Sequence, residues 1–441
     1  MRTPIPDYLA QVMTECDGDA GAVADYIPEL AAADPDRFAV ALATLDGTVF
    51  TAGDVGETFT IQSISKPFTY ALALADRGLD DVLAKIDVEP SGDAFNEISL
   101  EDGTGRPRNP MINAGAIAAH ALVAGADAEE RFERIRALYS RLAGREVHVD
   151  EDVFSSELAS ADRNMAIAYM LRTVGVLQES PQAVVEGYIR QCSIAVTVGD
   201  LARMAATLAA GGQDPDGDQV LRRWVTRQML SVMATCGMYD SAGDWLTTVG
   251  IPAKSGVAGG LLGVLPGQIG LAAFSPRLDE HGNSHRGVRT FERMSQDMGL
   301  HLMDVPEAAR SVVRADRDPE ESGEVVVYEV AGDLRLVEAE RVLRAFEQEG
   351  AGSQGRVVID LERVHRVNDI ARRMLLEGAR RLDADGHDVW VVDPSEVLGD
   401  GWAGRGELAH GAQASGGYRP TFAASVQAAR DGLSSAASPR G

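Results

Sequence analysis

The sequence predicts an α/β protein of the α+β sandwich type, with one antiparallel sheet beside a helical lobe and a small α/β unit later in the chain. Apolar runs with strand character occur over 38–51 and again over 256–274, and a long, mostly helical stretch, 114–235, separates them. A charged segment then precedes a new alternation of short strands and helices. We therefore expect domains over 1–305 and 324–433, joined by a linker over 306–323 and followed by a flexible tail over 434–441.

In the first domain, turn chemistry and periodicity predict the elements together. Asp46-Gly47 lies between two apolar runs, which is a strong β-hairpin signal, and Pro266-Gly267 marks a second turn. The predicted strands are 38–45, 48–51, 256–265 and 268–274. The predicted helices are 7–15, 20–32, 68–74, 116–123, 128–142, 157–174, 183–190, 198–210, 220–234 and 288–300. We expect the N- and C-terminal strands to form one antiparallel sheet with helices on it, which is the architecture of serine β-lactamases and penicillin-binding proteins.

In the second domain, short strands alternate with helices. Strands are predicted over 324–330, 356–361 and 389–392, and helices over 336–347, 370–384 and 422–433. Between the last strand and the last helix, residues 399–418 are rich in glycine and are expected to form a mobile loop.

Composition narrows the class of protein. The 441 residues carry a net charge of −26, so the chain is expected to repel nucleic acid and anionic membrane surfaces. Three widely spaced cysteines argue against a disulfide framework and for a reducing compartment. Neither a signal peptide nor an apolar stretch long enough to span a membrane is recognisable. A cytoplasmic protein without membrane insertion is therefore predicted.

The stretch 61–67 contains a serine and a lysine three residues apart, Ser63 and Lys66, before the predicted helix 68–74. At that spacing two side chains lie on one face of a helix. Burial and the positive end of a helix dipole both favour a neutral lysine, which can then take a proton from the serine. By itself this S-x-x-K pattern is weak, because four residues alone favour the simpler interpretation of Ser63 as a helix cap and Lys66 as a surface residue.

Two further observations favour the catalytic interpretation. The chain has only three lysines, Lys66, Lys85 and Lys254, among 41 basic residues. In a chain whose other basic residues are arginine, each lysine is expected to be present because its position needs a removable proton. Arginine cannot supply such a proton. Lys254 begins the triplet Lys254-Ser255-Gly256, and S-x-x-K followed by K-[ST]-G on a strand is a known acyl-transfer pattern. A solvated loop lysine stays an equal alternative for Lys254 alone.

Six ordered blocks carry a resemblance to a known family. They cover 23–28, 62–67, 109–116, 188–193, 236–240 and 252–257, and together they resemble the serine-dependent glutaminases over roughly residues 7–305. The resemblance implies hydrolysis of L-glutamine to L-glutamate and ammonia through a glutamyl-serine intermediate, with no metal or organic cofactor. It also implies a homodimer or homotetramer.

The resemblance implies a role for each residue that matches the family's pattern. Ser63 is the expected nucleophile, Lys66 its base and Tyr239 a proton relay to the leaving group, while Val257 supplies an N–H to the oxyanion hole. Gln62, Lys254 and Ser255 are expected to support the site. The residues expected to hold the amino acid, with Tyr26 closing over it, are Tyr26, Asn113, Glu157, Asn164 and Tyr188.

Each of these residues also has a structural interpretation. Glu157 is acceptable in the first turn of its predicted helix, and Asn113 as a turn residue before Ala-Gly. The tyrosines are acceptable as aromatics at the edge of the core. On one helix, Glu157 and Asn164 are two turns apart and face the same pocket. No histidine lies in a block, and His281 and His285 flank a Gly-Asn turn, so neither a Ser-His-Asp triad nor a metal site is predicted.

The second domain resembles a STAS domain, a small α/β module of anti-sigma-factor antagonists. Tyr328–Leu334 and 357–369 carry this resemblance. Ile370 stands where those antagonists have a phosphorylatable serine or threonine, so a structural or protein-binding role is expected instead of a phosphorylation switch. Two other readings of the whole chain stay open: another serine acyl hydrolase of the β-lactamase-like fold, and a regulatory binding protein whose STAS-like unit is the working part.

Overall fold

A computed structural model describes residues 3–91, 100–304, 314–318, 325–334, 336–349, 355–398 and 420–432. The chain divides into two compact units, Met1–Asp304 and Val305–Gly441. The predicted loop 399–418 and the predicted tail 434–441 lie outside the described residues. Within the described part, no helix has the length and apolarity needed to cross a membrane.

The first unit is built on an antiparallel sheet of order β2-β1-β7-β6-β5, as predicted for its N- and C-terminal strands. A separate two-stranded pair, β3 with β4, lies outside that sheet. The strands are Ala39–Thr44 (β1), Val49–Gly53 (β2), Phe59–Thr60 (β3), Ala195–Val196 (β4), Ala253–Ser255 (β5), Gly260–Leu265 (β6) and Ile269–Phe274 (β7).

Helices cover both faces of the sheet and form the lobe beside it. They are Ile5–Cys16 (α1), Pro28–Ala31 (α2), Ser65–Arg77 (α3), Leu79–Leu83 (α4), Asn113–Leu122 (α5), Ala128–Ala143 (α6), Glu151–Ala159 (α7), Asp162–Thr173 (α8), Pro181–Cys192 (α9), Val198–Ala209 (α10), Arg223–Cys236 (α11), Ala242–Thr248 (α12) and His285–Met298 (α13). Two 3₁₀ turns, Gln62–Ile64 and Tyr239–Ser241, precede α3 and α12.

The two faces of the sheet belong to different cores, which follows from the alternation of side chains along a strand. On β1, Ala39, Ala41 and Ala43 join the larger core shared with the helical lobe, including α3, α5 and α10. The intervening Val40 and Leu42 join a second core with α1, α12 and α13. Small side chains on the first face let α10 approach the strands closely: a Cβ at Gly270 would lie 2.2 Å from the backbone nitrogen of Ala206.

Two of the helices predicted in this unit have the wrong boundaries. The predicted helix 20–32 is helical only over Pro28–Ala31, because Gly21 has φ of +91° and Ala22 pairs with Leu278 instead. The predicted helix 157–174 is two helices, α7 and α8. The hydroxyl of Ser160 bonds to the Ser156 carbonyl at the end of α7, and the apolar periodicity continues across the break, so periodicity alone could not reveal it.

The second unit contains a mixed sheet of order β12-β11-β10-β9-β8, in which β8 is antiparallel to β9 and the other neighbours are parallel. Its core clusters lie on opposite faces of the strands. The elements are Arg314–Asp318 (β8), Val325–Leu334 (β9), Leu336–Glu349 (α14), Arg356–Val367 (β10), Asp369–Ala384 (α15), Asp388–Val392 (β11), Thr421–Ala423 (β12) and Val426–Arg430 (α16).

The second unit departs from prediction at two places. Strand β8 lies inside the range predicted as a linker, because its charged sequence Arg-Ala-Asp-Arg-Asp has no apolar alternation, although it pairs with β9. The range predicted as a last helix contains strand β12 before the short helix α16, and the side chain of Ser425 accepts a bond from the Ala428 N–H at the start of that helix.

Candidate active site

Ser63 lies in the 3₁₀ turn that leads into α3, and Lys66 lies in the first turn of that helix, as the sequence predicted. Gln62 immediately before Ser63 has φ of +49°, a left-handed conformation that costs a non-glycine residue free energy and persists only where the surroundings hold it. Thr60, at the end of β3, accepts a bond from the Gln62 amide at 3.1 Å. The strained turn, held by this bond, therefore fixes the position of Ser63.

The Lys66 side chain is fully buried. Its Nζ donates to Oδ1 of Asn113 at 2.7 Å. Burial lowers the pKa of this lysine to about 7, because removing a cation from water disfavours its charged form. Near neutral pH, Lys66 is therefore divided between its charged form and a neutral form that can accept a proton.

Tyr239 lies over both buried lysines. The Nζ atoms of Lys254 and Lys66 are 3.8 Å and 5.5 Å from the centroid of its ring. Burial raises the pKa of Tyr239, and a side-chain hydrogen bond with Ser63 acts in the opposite direction. Lys254 is fully buried, and burial followed by repulsion from Lys66 holds its pKa well below the usual value. The solvated-loop reading of Lys254 is therefore wrong.

The Lys254-Ser255-Gly256 segment approaches the Ser63 turn through its backbone. Lys254 and Ser255 belong to β5, and Nζ of Lys254 donates to the Ser255 carbonyl at 2.8 Å. A Cβ at Gly256 would lie 3.0 Å from the carbonyl oxygen of Ile61, so a larger residue there would push the strand away. Val257 follows directly, and its backbone N–H belongs to a segment in close contact with the turn that bears Ser63.

Polar groups extend from Lys66 to one side of the site. The Asn113 amide, at the start of α5, donates to Oδ1 of Asn164 at 3.0 Å, and the Tyr188 hydroxyl lies 3.5 Å from Oδ1 of Asn113. Tyr188 is buried on α9, where burial raises its pKa and keeps the hydroxyl neutral. This side of the site offers neutral amide and hydroxyl groups.

A second group of polar side chains in the site contains a carboxylate. Oε1 of Glu157 accepts bonds from the Tyr26 hydroxyl at 2.7 Å and from the Gln62 amide at 3.1 Å. Burial raises the pKa of Glu157, and these two donors partly offset that shift. Tyr26 is about half exposed, at 49 %, so its ring lies at the rim. A carboxylate and a half-exposed aromatic ring therefore lie next to Gln62.

The placement of Glu157 and Asn164 corrects the reasoning from helical spacing. Glu157 lies in the last turn of α7, not in a first turn, and Asn164 lies in the first turn of α8. Glu157, on α7, reaches the site through its bond with Gln62, and Asn164, on α8, reaches it through its bond with Asn113. The break between α7 and α8 allows both to do so.

Sequence reasoning missed a buried polar network behind Ser63 and Lys66. Nδ1 of His120 lies 2.8 Å from Oε1 of Gln191, whose amide nitrogen donates to Ser65 Oγ at 3.3 Å. Ser65 Oγ lies 3.6 Å from Cys192 Sγ, and the Tyr139 hydroxyl donates to the Ser65 carbonyl. The available signal was Gln191 and Cys192 in one of the matched blocks, but their burial depends on tertiary packing.

A metal site finds no support at His281 and His285. His281 lies in a turn, with Nδ1 3.0 Å from Oδ2 of Asp240, whereas His285 begins α13. Across the described ranges, no group of three or more histidine, cysteine or acidic side chains is arranged to hold a metal ion.

Comparisons with known proteins show which family the chain is similar to. A family model described as Glutaminase matches residues 21–303. The glutaminase of Corynebacterium glutamicum is 51% identical over 403 residues, which covers 90% of this chain and 96% of the relative. The glutaminase of Trichormus variabilis is 49% identical over 285 residues, covering 64% of this chain and 85% of the relative.

Solved structures are similar to the chain as well. The crystal structure of Mglu matches with a TM-score of 0.82 at 50% identity, covering 90% of this chain and all of that chain. Mglu in its glutamate form matches with a TM-score of 0.79 at 47% identity and covers the same shares of both chains.

Proposed function

The chain belongs to the glutaminase family and hydrolyses L-glutamine to L-glutamate and ammonia; we propose that the reaction passes through a glutamyl ester of Ser63. The observation that carries the proposal is that Tyr239, from a distant segment of the chain, meets Ser63 and Lys66 at the start of α3. A buried lysine whose pKa lies near neutrality is a suitable base for a serine hydroxyl.

In the acylation step, Oγ of Ser63 attacks the side-chain amide carbon of glutamine while neutral Lys66 takes the hydroxyl proton. The negative charge that develops on the amide oxygen is held by the backbone N–H groups of Ser63 and Val257. The carbon–nitrogen bond then breaks as the leaving NH₂ group receives a proton through Tyr239, and Lys66 restores that proton. Ammonia departs, and the glutamyl group remains on Ser63 as an ester.

Deacylation repeats the steps with water. A water molecule attacks the ester carbon and gives a proton to Lys66, and collapse of the intermediate returns that proton to Oγ of Ser63. L-Glutamate leaves with the new oxygen in its γ-carboxylate. Lys254 supports both steps through its contact with the Tyr239 ring, and Ser255 fixes the end of β5, which leads into Val257.

The α-amino and α-carboxylate groups of glutamine are assigned to different polar groups of the site. Glu157 receives the ammonium group, since it is the carboxylate beside Gln62 and Ser63. Asn113, Asn164 and Tyr188 offer neutral donors to the carboxylate, and the partly exposed Tyr26 closes over the bound amino acid. Selection of a free amino acid requires both ends to be held.

Replacement of the nucleophile tests the mechanism. Ser63→Ala is expected to abolish ammonia release from glutamine, whereas Ser231→Ala, at an exposed serine of α11 bonded to the Arg227 carbonyl, keeps wild-type activity. Mass spectrometry of wild-type protein quenched during turnover should detect a glutamyl adduct on the peptide that contains Ser63. Full activity of folded Ser63→Ala protein would disprove the assignment.

We also propose a homodimer or homotetramer. The support is a row of exposed apolar side chains along α8 and its end, Tyr169, Met170 and Val174, which are 46%, 42% and 38% exposed. Light scattering of wild-type protein and of a Tyr169→Glu, Met170→Glu double variant tests this: a smaller mass for the variant supports it, and a monomeric wild type contradicts it.

For the second unit, we propose a STAS-like module that binds a protein partner, within a chain that works in the cytoplasm. The support is a mixed sheet with three parallel neighbour pairs and helices α14 and α15 in its crossovers. Capture of a partner by residues 324–433, unaffected by Ser63→Ala in the full chain, would support this role.

A further inference from the structure

We propose that Asn283 is a positioning residue that holds Tyr239 against Ser63, by joining the turn that bears Tyr239 to strand β5. The inference rests on the role that the proposed function gives Tyr239. Asn283 lies 44 residues after Tyr239 in the chain (283 − 239) and is only 1% exposed. Its side chain is an amide, which can donate and accept at the same time.

The backbone of Tyr239 requires such a support. Its φ is +56°, in the left-handed region that an aromatic residue rarely adopts. A residue in this conformation costs free energy and persists only where its neighbours hold it. Without restraint, the turn Tyr239–Ser241 is expected to relax, and the Tyr239 hydroxyl would leave its position beside Ser63.

The Asn283 amide lies between this turn and β5 and forms hydrogen bonds with both. Its Nδ2 donates to Oγ of Ser241 at 3.0 Å, and its Oδ1 accepts a bond from Oγ of Ser255 at 2.5 Å. Oγ of Ser241 in turn donates to the carbonyl of Met238 at 2.7 Å. The hydrogen bonds therefore run from the Lys254-Ser255-Gly256 strand through Asn283 to both sides of Tyr239.

The orientation of the amide is determined by these partners. Because the Ser241 hydroxyl gives its only proton to the Met238 carbonyl, it needs a donor from Asn283. Ser255 then supplies the proton to the opposite, carbonyl side of the amide. Alanine can provide neither bond, and a flipped amide would direct Nδ2 at Ser255 and leave Ser241 without a donor.

The loop that bears Asn283 is itself fixed. Oδ1 of Asp279 accepts the backbone N–H groups of His281 and Asn283, both at 2.9 Å. Nδ1 of His281 lies 3.0 Å from Oδ2 of Asp240, the residue directly after Tyr239. The 279–283 loop thus contacts both residues that follow Tyr239, and Asn283 provides the buried contact of the two.

Kinetics on two substrates test whether Asn283 acts through Tyr239. Glutamine needs a proton on its leaving nitrogen, whereas the γ-S-methyl thioester of L-glutamate leaves as a thiolate and needs none. Asn283→Ala is expected to lower kcat/KM for glutamine about tenfold or more and to change that for the thioester less than about threefold. Tyr239→Phe should show the same selectivity, and the double variant should be no slower on glutamine than Tyr239→Phe.

Ser295→Ala is the matched control, because it removes a buried hydroxyl bond to the Val249 carbonyl in the same unit and is not part of the hydrogen bonds that join Asn283 to the Tyr239 turn. It should leave both substrates unaffected. If Asn283→Ala fails to fold, Ser241→Ala removes the same link and receives the same assays with the same expected outcomes.

Three results would overturn the inference: wild-type activity of Asn283→Ala, equal losses on both substrates, or multiplicative losses in the double variant. If Tyr239→Phe lowers kcat/KM for glutamine and Asn283→Ala does not, only the positioning role of Asn283 is contradicted. If Asn283→Ala lowers kcat/KM for glutamine and Tyr239→Phe does not, both the positioning role and the relay role of Tyr239 are contradicted. Active Ser63→Ala contradicts the proposed mechanism, whatever the behaviour of Asn283.

Discussion

Nζ of Lys66 donates to Oδ1 of Asn113 at 2.7 Å, at a lysine side chain that solvent does not reach. The acceptor is a neutral amide. A carboxylate in its place would stabilise the ammonium form and raise the lysine pKa, which would remove the base from use near neutral pH. The pairing of a buried lysine with an asparagine thus fixes the position of Nζ and leaves its proton removable.

Lys66→Arg is expected to lower kcat by about a thousandfold or more, because a guanidinium does not lose a proton at accessible pH and a base of this kind contributes several orders of magnitude. Steady-state ammonia release measures the loss. Lys85→Arg is the control, since Lys85 contacts the carbonyl of Gly175. A Lys66→Arg enzyme with more than a tenth of wild-type kcat would show that another group is the base.

The pH dependence of kcat/KM should follow Lys66. Burial lowers its pKa to about 7, so its neutral, proton-accepting fraction grows as pH rises through about 7 and then levels off. Asn113→Asp should move this rise to higher pH, because the new carboxylate favours the charged lysine. A wild-type rate that still climbs steeply above pH 9 would contradict a lowered lysine pKa.

Glu157→Gln is expected to raise KM for glutamine and to lower kcat/KM by roughly 10- to 100-fold, since a charged hydrogen bond to the substrate ammonium is lost. Glutaramate, which is glutamine without the α-amino group, is the diagnostic substrate. The variant should hydrolyse glutaramate as slowly as the wild type does, with no added loss. An equal fractional loss on both substrates would mean that Glu157 acts elsewhere than on the ammonium group.

The sequence could predict those features that residues close together in the chain determine. Ser63 and Lys66 are three residues apart at a helix start, so their relation follows from the spacing, and the hairpin at Asp46-Gly47 follows from turn chemistry. Glu157 and Asn164 were placed on one helix because periodicity continues through the break at Ser160.

Other features depend on tertiary contacts that no local pattern records. The bonds from Asn283 to Ser241 and Ser255 cross 42 and 28 residues of chain. Strand β8 was predicted as linker because its pairing with β9, and not its own sequence, makes it a strand. The matched blocks named the candidate reacting groups, but the hydrogen bonds behind those groups became visible only with the fold.

His120 should make stability depend on pH. It is fully buried, and within the described residues its Nε2 has no hydrogen-bond partner. Burial lowers its pKa to about 4 from an ordinary value of 6.5. The folded protein therefore holds a neutral imidazole while the unfolded chain binds a proton, so stability is complete above about pH 6.5 and falls as pH drops towards 4, by about 3 kcal/mol at most.

Thermal unfolding of wild type and His120→Gln between pH 4 and 7 checks this contribution. The variant keeps a polar side chain near Gln191 but cannot titrate, so its Tm should fall less steeply towards low pH than that of the wild type. His148→Gln, at an exposed histidine, should keep the wild-type slope. Parallel curves for wild type and His120→Gln would show that His120 is not held neutral by the fold.

Residues 1–304 should fold alone and keep the glutaminase activity, because every side chain proposed for the reaction lies in the first compact unit. The glutaminase of Trichormus variabilis matches this chain over only 285 residues, which amounts to 85% of its own length. We expect kcat/KM for glutamine within about threefold of the full chain and a single cooperative unfolding transition. Ser63→Ala in the shortened chain controls for contaminating activity. Loss of activity in a folded 1–304 protein would instead mean that the second unit contributes to the site or to an assembly that the site requires.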